Sequence, residues 1–286
     1  MGGCVRFLLL LLIALAAPAA ERVLFVAGLG GEPDYEQRFQ SLAREGAKLS
    51  GGEALAGPQA TRQALRDAIA RAAAELGEDS LFTLVLIGHG TWDGLSYKFN
   101  LPGPDVTAEE LRAWLDGVKA RQIVVLAASA SGAALKELAG PRRAVFAATR
   151  SGMEKNAVTF PRYFVEALRD PAADTDKNES VSALEAFRYA VQKTAAFFET
   201  QKRIATEHAS MEDPAGTGRA PLVRFGAAQA ALNDPLKRAL LAQREKFELE
   251  IEKLKREKAA MPPDEYRKRL QALLVTLANI QEEIER

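Results

Sequence analysis

Cysteine is nearly missing from this chain. Its 286 residues hold a single one, Cys4, whereas a disulfide framework or a thiolate zinc site needs two or more. An excess of charge of either sign is missing too. The 38 Lys and Arg balance 38 Asp and Glu, which argues against nucleic acid or another strongly charged surface as partner. Histidine occurs only twice, at His89 and His208, so imidazole chemistry has few places to sit. Long apolar runs are confined to one, Phe7 to Ala17. That excludes a polytopic membrane protein, because each span needs about 20 apolar residues. What is present, 48% hydrophobic and 27% charged residues, excludes wholesale disorder and suffices for one large α/β domain with an appendage.

The single apolar run reads as a targeting segment. Arg6 precedes it, and small residues around Pro18 follow, with Ala17-Pro18-Ala19 or Pro18-Ala19-Ala20 before a cleavage site. The expectation is a signal peptide over residues 1–20 and an extracytoplasmic chain, periplasmic or secreted, with no membrane attachment after cleavage. An uncleaved anchor is the alternative. Cys4 lies ahead of the run, so it is not placed for lipid attachment, and the cleaved chain would contain no cysteine.

Four short apolar runs follow, Arg22–Gly28, Leu81–Ile87, Gln122–Ala128 and Arg143–Thr149. None alternates with polar residues, and helical stretches lie between them, at Asp34–Glu45, Gly57–Leu76 and Thr107–Val118. The last opens with Thr107 and Glu110 in capping-box spacing. Apolar strands alternating with helices indicate a parallel sheet covered on both faces, an α/β three-layer sandwich spanning residues 21–208. Such sheets bind ligands beyond the carboxyl ends of their strands. Those ends carry Gly28–Gly31, His89-Gly90, Ser129–Gly132 and Arg150-Ser151-Gly152.

Residues 209–234 are rich in Gly, Pro and Ala without sustained period, and read as a linker. From Pro235 onward 22 of 52 residues are charged, 12 basic and 10 acidic. Tyr266, Leu270, Leu273, Leu277, Ile280 and Ile284 make an apolar seam at alternating spacings of four and three. Leu240, Phe247, Ile251 and Leu254 make a looser one before Pro262-Pro263, a pair that separates two helices. Residues 235–286 are therefore expected to form an α-helical hairpin or short coiled coil. It either packs on its own domain or joins two chains in a homo-oligomer.

His89 ends a strand between glycines, where a histidine can act as a general base near neutral pH. One strand later, Ser129 and Ser131 reach the neighbouring edge. An α/β-hydrolase arrangement fails on order and motif: His89 precedes Ser129, and Gly90 and Trp92 stand where G-x-S-x-G needs serine and glycine. The segments Leu84-Val-Leu-Ile-Gly-His89-Gly90 and Val125-Leu-Ala-Ala-Ser129-Ala-Ser131-Gly132 resemble instead the caspase/legumain-type peptidase fold, across roughly residues 22–200. In that family one strand ends in His-Gly and another in Asp-Ala-Cys-x-Ser-Gly or similar. The resemblance implies His89 as the base, Gly90 as an oxyanion donor and Ser129 in the place of the nucleophilic cysteine. Arg150 and Ser151, by their place at a sheet edge, are candidates to contact substrate. The resemblance further implies a peptide or protein partner. A serine must lose its proton as it attacks, whereas cysteine is already a few per cent thiolate at pH 7. Two readings follow: a pseudo-peptidase acting as a non-catalytic interaction module, and a hydrolase using a His89–Ser129 dyad.

The run Asp174-Thr-Asp176-Lys-Asn178-Glu-Ser180-Val-Ser182-Ala-Leu-Glu185 resembles the EF-hand loop, which implies calcium held by Asp174, Asp176, Asn178, Ser180 and Glu185. Val181 supplies the apolar eighth position, but Glu179 stands where that loop has glycine. The same residues also read as a capping box, Ser182 to Glu185, at the start of the following helix.

Overall fold

The computed structural model describes residues 20–286, so the targeting segment expected at the amino terminus lies almost wholly outside the described residues. Among the described residues no helix is long and apolar enough to cross a membrane. The first half of the chain runs β1 (Glu21–Ala27), α1 (Pro33–Ser50), β2 (Glu53–Leu55), α2 (Arg62–Glu75) and β3 (Leu81–Gly88). A short antiparallel unit follows, β4 (Gly90–Trp92), β5 (Tyr97–Phe99) and β6 (Val106–Thr107), and then α3 (Ala108–Asp116). Next come β7 (Arg121–Ala128), α4 (Leu135–Leu138), β8 (Arg143–Ala147), α5 (Phe160–Ala167), β9 (Ser180–Ser182) and α6 (Ala183–Thr200). The remainder is β10 (Ser210–Glu212), β11 (Pro221–Arg224), α7 (Gly226–Ala231), α8 (Pro235–Glu257) and α9 (Pro263–Glu285).

Six strands form the central sheet in the order β10-β8-β7-β3-β1-β2, parallel except for β10 at its edge. Every residue of β3 is buried, because successive side chains enter opposite faces and both faces are covered. Phe25, Val85, Ile87 and Val125 pack beneath α1, α5 and α6. Leu24, Leu84, Leu86 and Leu126 pack beneath α2, α3 and α4. The result is the three-layer α/β sandwich expected from the apolar runs, followed by the helical hairpin. From β1 the chain moves outward to β2 and then returns to the other side as β3. The switch in strand order, and with it the crevice that α/β sheets offer to ligands, falls between the carboxyl ends of β1 and β3.

The stretch 209–234, expected as a linker, instead carries β10, β11 and α7. Met211 sits opposite Phe146 as β10 extends the sheet, and Val223 sits opposite Val181 as β11 pairs with β9. Strands of three and four residues leave no period to read, and their pairing is purely tertiary.

The hairpin packs on its own domain. Ile280 and Ile284 of α9 bury against Leu241 of α8 and against Ala228 and Ala231 of α7. Arg224 ties α8 to the sheet, reaching Glu245 at 2.8 Å and Glu21 at 2.8 and 3.0 Å. Arg219 pairs with Glu252 at 2.8 Å, and Arg256 donates to the carbonyls of Pro214 and Ala215.

Candidate active-site rim and acidic loop

Strands β3 and β7 are hydrogen-bonded neighbours in register from Leu81–Arg121 to Gly88–Ala128. Their next residues, His89 and Ser129, therefore leave one rim side by side, as the spacing of the two motifs requires. Their side chains meet different partners.

The His89 ring is half-buried against α1, with centroids 5.0 Å from both Tyr35 and Phe39 in edge-on contacts. Burial lowers its pKa, while a hydrogen bond with the backbone of Gly30 and the charge of Glu32 pull the other way. Burial thus favours the neutral imidazole, the form a general base needs.

Ser129 is 1% exposed. Its hydroxyl accepts from the Gly90 amide at 3.1 Å and donates to the Gly90 carbonyl at 3.3 Å. The Gly90 backbone and the Ser129 hydroxyl therefore satisfy each other. Only glycine fits at position 90, since a Cβ there would lie 2.4 Å from the Tyr97 hydroxyl and 2.6 Å from the Ser129 carbonyl. That Tyr97 hydroxyl is buried and has no hydrogen-bond partner among the described residues.

A loop folds over the turn. Ala130 takes a left-handed conformation (φ 55°) and donates its amide to the Glu154 carbonyl at 2.8 Å. Ser131 and Gly132 are bound to Thr149, whose amide donates to the Ser131 hydroxyl at 3.2 Å and whose own hydroxyl accepts from the Gly132 amide at 2.8 Å. Gly152 lies so close to the Trp92 indole that a Cβ there would come within 2.3 Å of it.

Arg150 is exposed at the same rim, with its guanidinium 3.2 Å from Glu154. Ser151 is partly exposed, and its hydroxyl accepts from the Met153 amide. His208, which no spacing rule in the sequence places at a site, also reaches this rim. Its Nδ1 lies 2.6 Å from Glu154, the carboxylate that also holds Arg150. Strand β10, absent from the sequence pattern, is what delivers His208 there, opposite the end of β8.

The acidic loop lies elsewhere. Oxygens of Asp174, Asp176 and Glu185 come within 4.8 Å of one another, a donor set of the hard-oxygen kind that calcium prefers. Partial desolvation, then the charges of Glu185 and Asp174, push Asp176 up to about 6. The Glu185 carboxylate is already in use. One oxygen accepts from the amide and hydroxyl of Thr175, both at 2.9 Å, and the other from the amide and hydroxyl of Ser182 at 3.0 and 2.8 Å. The capping box read from the sequence is thus formed at α6, and a cation must compete with those four donors. Asn178 turns its oxygen to Ser180, at 3.0 Å from the amide, and its nitrogen to Glu248 of α8 at 3.3 Å.

Glu179, the residue that departs from the EF-hand pattern, is left-handed at φ 61°. Its carboxylate accepts from the Ala228 amide at 3.0 Å and caps α7, while its carbonyl accepts from the Phe225 amide at 2.7 Å. A glycine would make the same turn but leave α7 without this cap.

No protein-family model matches the chain, and no curated protein does. Among solved structures the chain is similar to protein GSU0716 from Geobacter sulfurreducens, at 14% identity and a TM-score of 0.48, over 72% of this chain and all of that one. It is also similar to the Drosophila initiator caspase Dronc, at 11% identity and a TM-score of 0.44, over 68% of this chain and 79% of that one.

Proposed function

We propose that this chain is an extracytoplasmic, caspase/legumain-like protein in which nucleophilic catalysis has been lost and the domain serves as an interaction module. The observation that carries the reading is the closed pair formed by the Ser129 hydroxyl and the Gly90 backbone. Attack on a carbonyl needs a hydroxyl that hands its proton to a base and an amide donor free for the developing oxyanion. Here each satisfies the other, and the hydroxyl is 1% exposed.

The test is hydrolysis of a pooled peptide library by the leaderless protein, followed by mass spectrometry. The proposal expects no product that depends on Ser129. Cleavage that disappears in Ser129→Ala would favour the second reading, a His89–Ser129 hydrolase, for which the adjacent strand ends and the lowered pKa of His89 speak.

The loop at 174–185 is proposed as a calcium site of weak affinity, held by Asp174, Asp176 and Glu185 with Asn178 and Ser180 close by. Binding would relieve the crowding of three carboxylates, opposed by the donors already on Glu185. Calorimetric titration with calcium should give heat that is lost in Asp174→Asn. Equal heats for the two proteins would refute the site.

A further inference from the structure

The inner face of α9 is spent on α7 and α8, but its outer face is not. Leu274 and Val275 stay 47% and 55% exposed. Together with Arg267, Leu270, Gln271 and Ala278 they line a shallow apolar groove on the surface. One helical turn beyond Ala278 the stripe reaches Glu282. Arg267 and Glu282 lie at equal distances either side of the Leu274–Val275 midpoint, as do Gln271 and Ala278. A half-turn about that midpoint exchanges a cation for an anion and lays Leu274 on Val275. Such a stripe is its own complement only when two copies run antiparallel, the isologous arrangement of a two-fold dimer.

We infer that the outer stripe of α9 is the contact between two copies of this chain, crossing antiparallel at Leu274–Val275 with Arg267 of each copy facing Glu282 of the other. This rests on the reading of the chain as an interaction module and gives it a partner, a second copy. The 15 residue steps from Arg267 to Glu282 span about 22 Å of helix, one helix face rather than a full obligate interface, so the dimer should form and dissociate with concentration. Both side chains are open to solvent, at 75% and 64% exposure, and among the described residues each pairs with a neighbour on its own helix, Asp264 and Arg286. Reversing their charge therefore leaves the core untouched.

The test is sedimentation of the leaderless full-length protein up to about 100 µM, where contacts of this modest size are populated. The expected results are a concentration-dependent dimer and a dissociation constant raised roughly tenfold or more in either Arg267→Glu or Glu282→Lys, since each places like charges at both ends. A one-to-one mixture of the two variants should restore the dimer, because every end then pairs opposite charges. A monomer throughout the range overturns the inference, as does a dimer indifferent to both reversals or a mixture no tighter than its components. Neither residue lies near the β3–β7 rim, so a negative result here leaves the non-catalytic reading standing. Peptide cleavage dependent on Ser129 would sink that reading without touching the dimer.

Discussion

Two hydroxyls meet at Gly90 and fare differently. That of Ser129 is paired to the glycine backbone, whereas that of Tyr97 is buried without a partner among the described residues. Removing a partnered buried hydroxyl orphans the group it served, at a cost of about 1–3 kcal/mol. Ser129→Ala should therefore lower the thermal midpoint even though no chemistry is lost. Removing an unpartnered hydroxyl orphans nothing, so Tyr97→Phe should leave stability unchanged or raise it by up to about 1 kcal/mol in denaturant unfolding. A loss as large as that of Ser129→Ala would mean the tyrosine does have a partner. The positions of His89 and Ser129 were legible, because an apolar run ending in glycine fixes where a strand stops. The direction in which each side chain turns was not, since it depends on α1 rings 50 residues away and on a loop 20 residues further on.

At the scale of the element, Glu179 carries two opposed effects. Its left-handed backbone costs about 1–2 kcal/mol, and its carboxylate caps α7, a service worth about 1 kcal/mol. Glu179→Ala keeps the strain and loses the cap, while Glu179→Gly loses both. Unfolding experiments should therefore rank wild type and Glu179→Gly close together and Glu179→Ala least stable by about 1 kcal/mol. An alanine variant as stable as the glycine one would contradict this. The four apolar runs and both capping boxes could be read from the sequence because each rests on local pattern. Strands β10 and β11 could not, because Ser210–Glu212 and Pro221–Arg224 gain their identity only from Phe146 and Val181 across the sheet edge. The same reason hid His208. The loop from Asp174 to Glu185 was legible as two motifs at once, and the structure forms the capping box, with Glu185 serving Ser182 and Thr175.

For the whole molecule, charge joins domain and hairpin where Arg244 is buried, Glu245 and Glu248 are half-buried and Asp176 stays exposed. Desolvation, with the charges of Asp176 and Glu245 added and that of Arg244 opposing, pushes Glu248 up to about 7, and Asp176 stands at about 6. Ordinary carboxyls titrate near 4, so the folded state holds protons that the unfolded chain releases. Stability should therefore fall as pH rises from about 4 through 7. In denaturant titrations across that range Glu248→Gln should flatten the slope and stabilise the protein most at the alkaline end. A slope unchanged by the substitution would remove Glu248 from the linkage. If the Ser129 hydroxyl is closed onto Gly90, a fluorophosphonate probe at neutral pH should leave no adduct on Ser129 of the folded protein, with equal background in Ser129→Ala. An adduct on Ser129 that forms in the wild type and fails to form in His89→Ala would contradict that closure.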